Sequence, residues 1–142
     1  MKAVLRWSMI VGMLFAVGLI SAEANETWVA PESLTGATTI DAAKAKEMFD
    51  AKTAFLDPRK SSDYQEGHIP GAVHLDLTKT LTKESMQARF PDKSQAIVVY
   101  CNGIRCKRSS DTIPKLVEWG YTNIYFFREG LPAWVSEDFP VE

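Results

Sequence analysis

The sequence predicts a single α/β domain built on a parallel sheet, and three observations lead to it. Short apolar runs alternate with helix-patterned segments along the chain. One run, Ile97-Val98-Val99-Tyr100, has no polar alternation, so it is expected to be buried on both faces, as central strands of parallel sheets are. The 142 residues are 46% hydrophobic, 11% aromatic and 24% charged, which is the composition of a packed domain rather than of a disordered, collagen-like or coiled-coil chain.

Lys2 and Arg6 precede an apolar stretch from Met9 to Ile20 that is followed by Ser21-Ala22-Glu23-Ala24. As a helix this stretch reaches roughly 18 Å, short of the ~30 Å hydrocarbon core. Small residues at Ala22 and Ala24 fit an A-x-A site, so 1–24 is expected to be a cleavable signal peptide, with an uncleaved anchor as the alternative. Either places the domain outside the cytoplasm, in a bacterium the periplasm, and no stable membrane insertion is expected after cleavage. Without Lys2, Arg6 and Glu23 the chain has 14 basic against 17 acidic residues, net −3. No basic field exists to attract nucleic acid or an anionic membrane.

Residues 25–38 read as a polar lead, too irregular with Pro31 and Gly36 for an element of its own, that wraps over the surface before the domain at 39–142. Asp41 can cap a helix over 42–51, with Ile40 stapled onto Ala45 and with Ala45, Met48 and Phe49 on one face. Thr53-Ala54-Phe55-Leu56 predicts a strand ending at Asp57, because Pro58 holds its predecessor extended. One or two helical turns over 62–66 stop at Gly67, and Ile69-Pro70-Gly71 turns into a strand over 72–75. A helix over 83–90 leads to the apolar strand 97–100. The pattern over 109–119 is helical, bent by Pro114 and stopped by Gly120. A strand over 123–127 and a short helix over 131–135 complete the chain.

Parallel sheets bind ligands beyond the carboxyl ends of their strands, which selects Asp57-Pro58-Arg59 and the segment from Cys101 to Ser109. The second is a strand, a Gly-containing loop and a helix N-terminus, whose amides can form a nest for an anion. The helix dipole together with Arg105, Lys107 and Arg108 would favour the thiolate of Cys101, the nucleophilic form. Two cysteines are too few for a disulfide scaffold, and with His68 and His74 as they stand no metal site is expected. The spacing C-x4-C matches neither a C-x-x-C redox pair nor a haem attachment site.

These residues resemble the rhodanese-like, or thiosulfate sulfurtransferase, family, in its single-domain exported form. The resemblance rests on Asp57-Pro58-Arg59, on Asp63-Tyr64-Gln65-Glu66-Gly67-His68-Ile69-Pro70-Gly71-Ala72, on Ile97-Val98-Val99-Tyr100-Cys101 and on Arg128-Glu129-Gly130-Leu131-Pro132-Ala133-Trp134, in the family's order. It implies a rhodanese-like three-layer α/β fold, with a five-stranded parallel sheet flanked by helices. It also implies a catalytic Cys101 that takes sulfane sulfur from a donor such as thiosulfate as a persulfide and passes it to a thiol or cyanide acceptor. No cofactor is implied. Asn102, Gly103, Ile104, Arg105, Cys106, Lys107, Arg108 and Ser109 are then the substrate-binding loop, Ser109 supporting the helix start.

The loop departs from the common pattern, which has an arginine five positions after the cysteine, where this chain has Cys106. Arg108-Ser109 lies two positions later than the usual pair, so substrate identity stays open. The C-x5-R spacing of the related phosphatases is absent, since Lys107 occupies that arginine's position. Cys106 has two readings: a resolving thiol that attacks a Cys101 persulfide and closes a disulfide, if the Cα atoms come within about 7 Å, or a cysteine packed as a small hydrophobe. Asp57 and Arg59 are expected to support the site by pairing with neighbours, Arg59 alternatively touching substrate. His68 is expected to fix a turn, with a base role as the alternative. Trp119 and Trp134 read as core or pocket rim. Besides the enzyme, a relay module handing sulfur to a partner protein and a thiol–disulfide oxidoreductase remain as function classes.

Overall fold

The computed structural model describes residues 27–142, so the expected signal segment, Trp7 included, lies outside the described residues. Five strands form one parallel sheet: β1 (Ala37–Ile40), β2 (Ala54–Asp57), β3 (Val73–His74), β4 (Ile97–Tyr100) and β5 (Ile124–Phe127), in the order β1-β5-β4-β2-β3. The helices are α1 (Ala42–Asp50), α2 (Ser61–Glu66), α3 (Lys83–Arg89), α4 (Arg108–Glu118) and α5 (Gly130–Ser136). The α/β class and the five-stranded parallel sheet flanked by helices are as expected. None of the helices among the described residues is long and apolar enough to cross a membrane.

All four residues of β4 are buried, and its side chains alternate between two cores. Val98 and Tyr100 join Ala45 and Met48 of α1 and Trp134 of α5. Ile97 and Val99 join Met86 of α3 and Ile113 and Leu116 of α4. A strand sandwiched between two helical layers has no solvent face, which is why its sequence is continuously apolar. Trp134 is core rather than rim, with its indole N–H donating to the Pro140 carbonyl at 2.7 Å. Asp41 caps α1 through a bond from the Lys44 amide at 2.8 Å. At α3, Thr82 and Ser85 form a capping box in which each side chain accepts from the other's backbone amide.

One expectation requires correction. The lead expected to carry no element contains a strand: β1 starts at Ala37 and pairs with β5 in register from Ala37 opposite Ile124 to Ile40 opposite Phe127. The domain's sheet therefore begins inside the expected lead. Ala-Thr-Thr lacks an apolar alternation because β1 is an edge strand with Thr38 and Thr39 exposed. Its stabilisation comes from backbone bonds to a strand 87 positions away in that register, and no local pattern encodes such a pairing. The described residues before it are mostly exposed, as expected of a surface lead, but Ala30 is buried, and its carbonyl accepts from Arg128 at 2.8 Å.

Candidate active site

The strand order fixes where a cleft can open. From β2 the chain moves outward to β3, whereas from β4 it moves the opposite way to β5, so the connections diverge between the carboxyl ends of β2 and β4. Asp57-Pro58-Arg59 follows β2, and Cys101 follows β4. Arg59 Nη1 donates to Asn102 Oδ1 at 2.9 Å and Asn102 Nδ2 donates to Asp63 Oδ2 at 2.8 Å, which ties the two strand ends together.

A buried ionic network underlies this bridge. Asp57 is 0% and Arg59 2% exposed. Arg59 Nε and Nη2 donate to the Asp57 carboxylate at 2.9 and 2.7 Å, and Nη2 also reaches the Gly67 carbonyl at 2.8 Å. Tyr100 donates its hydroxyl to Asp57 Oδ2 at 2.7 Å and accepts from the Ile69 amide at 3.1 Å. Burial works against the Arg59 charge, but the hydrogen bonds and charge of Asp57 more than offset it and raise the guanidinium's pKa. Burial, and then the neighbouring Asp57 charge, push the Tyr100 phenol far up, so it stays protonated as a donor. Tyr100 and Gly67 were not among the expected site residues. A tyrosine hydroxyl at the end of a continuously buried strand needs a partner, and that was the available signal.

Cys101 is 1% exposed, directly after the last residue of β4. Its carbonyl accepts from the Leu131 amide at 2.9 Å, and Gly130, at φ +62°, lies so close that a Cβ there would collide with the Cys101 carbonyl oxygen. The glycine is needed for both its backbone angle and this approach of α5 to the loop. Gly103 turns the loop at φ +109°, and its carbonyl accepts from the Cys106 amide at 3.0 Å. This turn brings the Cys101 and Cys106 Cα atoms to 6.2 Å, and a disulfide joins the two sulfurs. The reading of Cys106 as an unattached packing residue therefore does not describe this state.

The first intrahelical bond of α4 runs from the Asp111 amide to the Lys107 carbonyl at 2.8 Å. The amides of Arg108, Ser109 and Ser110 precede it and have no acceptor within the helix. Ser109 is buried in this first turn, whereas Asn102, Ile104 and Arg105 are exposed and share with Gly103 one wall of an open pocket of about 520 Å³ whose other wall is Glu129, Pro132, Ala133 and Ser136; the buried Cys101 does not line it. The basic residues are not grouped on one target. Lys107 Nζ lies 5.6 Å from the Trp28 ring centre, and Arg108 Nη1 donates to the Pro58 carbonyl at 3.0 Å and to Asp76 Oδ1 at 2.9 Å. His68 stacks on Tyr64, with Nδ1 2.9 Å from the Tyr64 carbonyl and Nε2 3.2 Å from Glu142 Oε1.

Asp76 is a further residue that the sequence did not reveal, since its partner Arg108 lies 32 positions away. Burial disfavours its charge, yet hydrogen bonds from Arg108 and from the Thr78 amide and hydroxyl prevail and lower its pKa from 3.8 to about 2. The folded-state pKa lies below the unfolded one, so the charged pair stabilises the fold above about pH 4 and that contribution is lost as pH falls toward 2. A loss of about 2 kcal/mol over that window is expected from urea titrations, and Asp76→Asn should flatten the slope. An unchanged slope in the variant would assign the acid sensitivity elsewhere.

Comparison with known proteins places this geometry in a family. The chain is 34% identical over 70 residues to the thiosulfate sulfurtransferase PspE of Escherichia coli K12, matching 49% of this chain and 64% of PspE. It is 28% identical over 97 residues to a tRNA uridine(34) hydroxylase of Buchnera aphidicola, matching 63% of this chain and 29% of that protein. The chain thus spans less than two thirds of the length of these relatives. Among solved structures, the BH2092 protein of Bacillus halodurans superposes with a TM-score of 0.66 at 21% identity, over 75% of this chain and 77% of that one. The Alr3790 protein of Anabaena gives 0.63 at 26% identity, over 72% of this chain and 80% of that one. The rhodanese-like domain model matches residues 41–137, from the N-cap of α1 through α5 and across both strand ends of the cleft, and on that match the chain belongs to the rhodanese-like domain family.

Proposed function

We propose that this protein is a sulfurtransferase that carries sulfane sulfur as a persulfide on Cys101. The observation that carries the reading is the position of Cys101, buried at the carboxyl end of β4 where the sheet connections diverge, with its loop leading straight into the first turn of α4. The relative PspE, named a thiosulfate sulfurtransferase, supports it.

In the reduced protein, the Cys101 thiolate attacks the outer sulfur of thiosulfate. The sulfur–sulfur bond of the donor breaks, sulfite leaves with the electron pair, and the outer sulfur stays on Cys101. A thiophilic acceptor such as cyanide or a thiol then attacks that sulfur and expels Cys101 as thiolate. With cyanide or a thiolate as the attacking acceptor, neither step needs a proton abstracted by the protein, so no base role falls to His68. The donor is a dianion, and among the described basic residues of this loop Lys107 lies against Trp28 and Arg108 pairs with Asp76, which leaves the exposed Arg105 to meet it. The first-turn amides of α4 and its dipole favour the thiolate and the bound anion. With the signal segment at 1–24, this chemistry would take place in the periplasm, where Cys101 and Cys106 meet oxidants rather than glutathione.

Steady thiocyanate formation from thiosulfate and cyanide by the reduced protein is the test. Arg105→Ala should lower turnover of thiosulfate by about tenfold and that of an uncharged persulfide donor far less, since a charge-assisted contact contributes about 1.5–3 kcal/mol. Absence of steady turnover would reassign the domain as a relay module, and equal losses on both donors would remove Arg105 from the donor site.

A further inference from the structure

We infer that Cys106 is a resolving thiol that discharges the Cys101 persulfide as hydrogen sulfide, which makes the protein a sulfide-releasing persulfide reductase reset by an external dithiol. The inference rests on the persulfide reading of Cys101 and adds the fate of its sulfur. Three observations carry it. The two sulfurs are bonded, so the loop lets them meet without rearranging the sheet. The approach is built into the backbone: Gly103 adopts φ +109° and its carbonyl holds the Cys106 amide at 3.0 Å, which folds the segment back on itself. The two cysteines also differ in access, Cys101 being buried and Cys106 half-buried.

The step balances without an outside oxidant. The Cys106 thiolate attacks Sγ of the Cys101 persulfide, the Cys101–Cys106 bond forms and the bond from Cys101 to its outer sulfur breaks. That sulfur leaves as hydrosulfide with the bond's electron pair. The two cysteines supply the two electrons that reduce the sulfane sulfur, and the proton released by the Cys106 thiol can go to hydrosulfide. Resetting needs two electrons from a dithiol. Its first thiolate attacks the more accessible sulfur, Cys106, and expels the Cys101 thiolate. Its second thiolate resolves the mixed disulfide and frees Cys106. The net reaction converts thiosulfate and a dithiol to sulfite, hydrogen sulfide and a disulfide. An intramolecular thiol acts at a high effective concentration, so this route competes with any acceptor arriving from solution.

A single-turnover experiment tests it. The full chain is reduced, freed of reductant and mixed with thiosulfate without acceptor, while sulfite, sulfide and protein mass are followed. The parent should release sulfite and then sulfide in equal amounts and end two hydrogens lighter. Cys106→Ser should release sulfite, end one sulfur heavier and produce sulfide at least about tenfold more slowly. Cys106→Ala should match it, which guards against an effect of the serine hydroxyl or a folding defect in one variant. If the parent keeps a stable persulfide and releases no sulfide, the resolving role is wrong and the sulfurtransferase reading stands. If neither chain releases sulfite, the persulfide reading fails and the resolving role fails with it. If the parent instead reduces insulin with a dithiol and no sulfur donor at a comparable rate, the pair is a general oxidoreductase and the proposal is overturned.

Discussion

Cys101→Ser should abolish thiocyanate formation, with a loss of about 10³-fold or more under reducing conditions. A serine hydroxyl is not ionised near neutral pH and cannot hold sulfane sulfur, so neither half of the transfer survives. The substitution is nearly isosteric at a position that is 1% exposed, so the fold should persist. It also removes the Cys101–Cys106 disulfide, so its stability is compared with that of the reduced parent. Far-UV circular dichroism and urea midpoints close to those of the reduced parent are the accompanying expectation. Residual turnover above a few per cent, with the fold intact, would move the nucleophile elsewhere.

The second large effect concerns stability. Asp57→Ala leaves the Arg59 guanidinium, 2% exposed, without its carboxylate and takes the acceptor from the Tyr100 hydroxyl. Removing one partner of a buried pair costs about 3–5 kcal/mol, because the remaining charge stays desolvated and uncompensated. Urea unfolding of the variant reads this directly. The double change Asp57→Ala with Arg59→Met should recover more than half of the loss, since it removes the stranded charge as well. A loss below about 1 kcal/mol in the single variant would mean that Arg59 finds water or another acceptor, and that the network is not what holds the strand ends. Because Arg59 also holds Asn102 at 2.9 Å, the single variant should loosen the Cys101 loop along with the fold.

Sequence by itself determined what local free energy decides. The continuously apolar run became β4, with Cys101 at its end, because a strand covered on both faces must lack polar alternation. Asp41 set the start of α1 through a cap three residues long, and Pro58 marked the end of β2, both interactions within one turn of chain. Four motifs in order carried the family. Tertiary structure alone decided the rest. β1 exists because β5 offers it a ladder, Arg108 is turned from the cleft toward Asp76, Tyr100 finds Asp57 across the sheet, and Gly130 is required because α5 comes to rest on the Cys101 carbonyl. Each of these joins groups at least 29 positions apart, so its partner is set by strand order and crossover geometry rather than by neighbouring residues. The C-x4-C spacing allowed both a bonded and an unbonded pair, and it is the turn at Gly103 that brings the two Cα atoms to 6.2 Å. A spacing states how much chain lies between two sulfurs, whereas the backbone angles of that chain decide whether they meet.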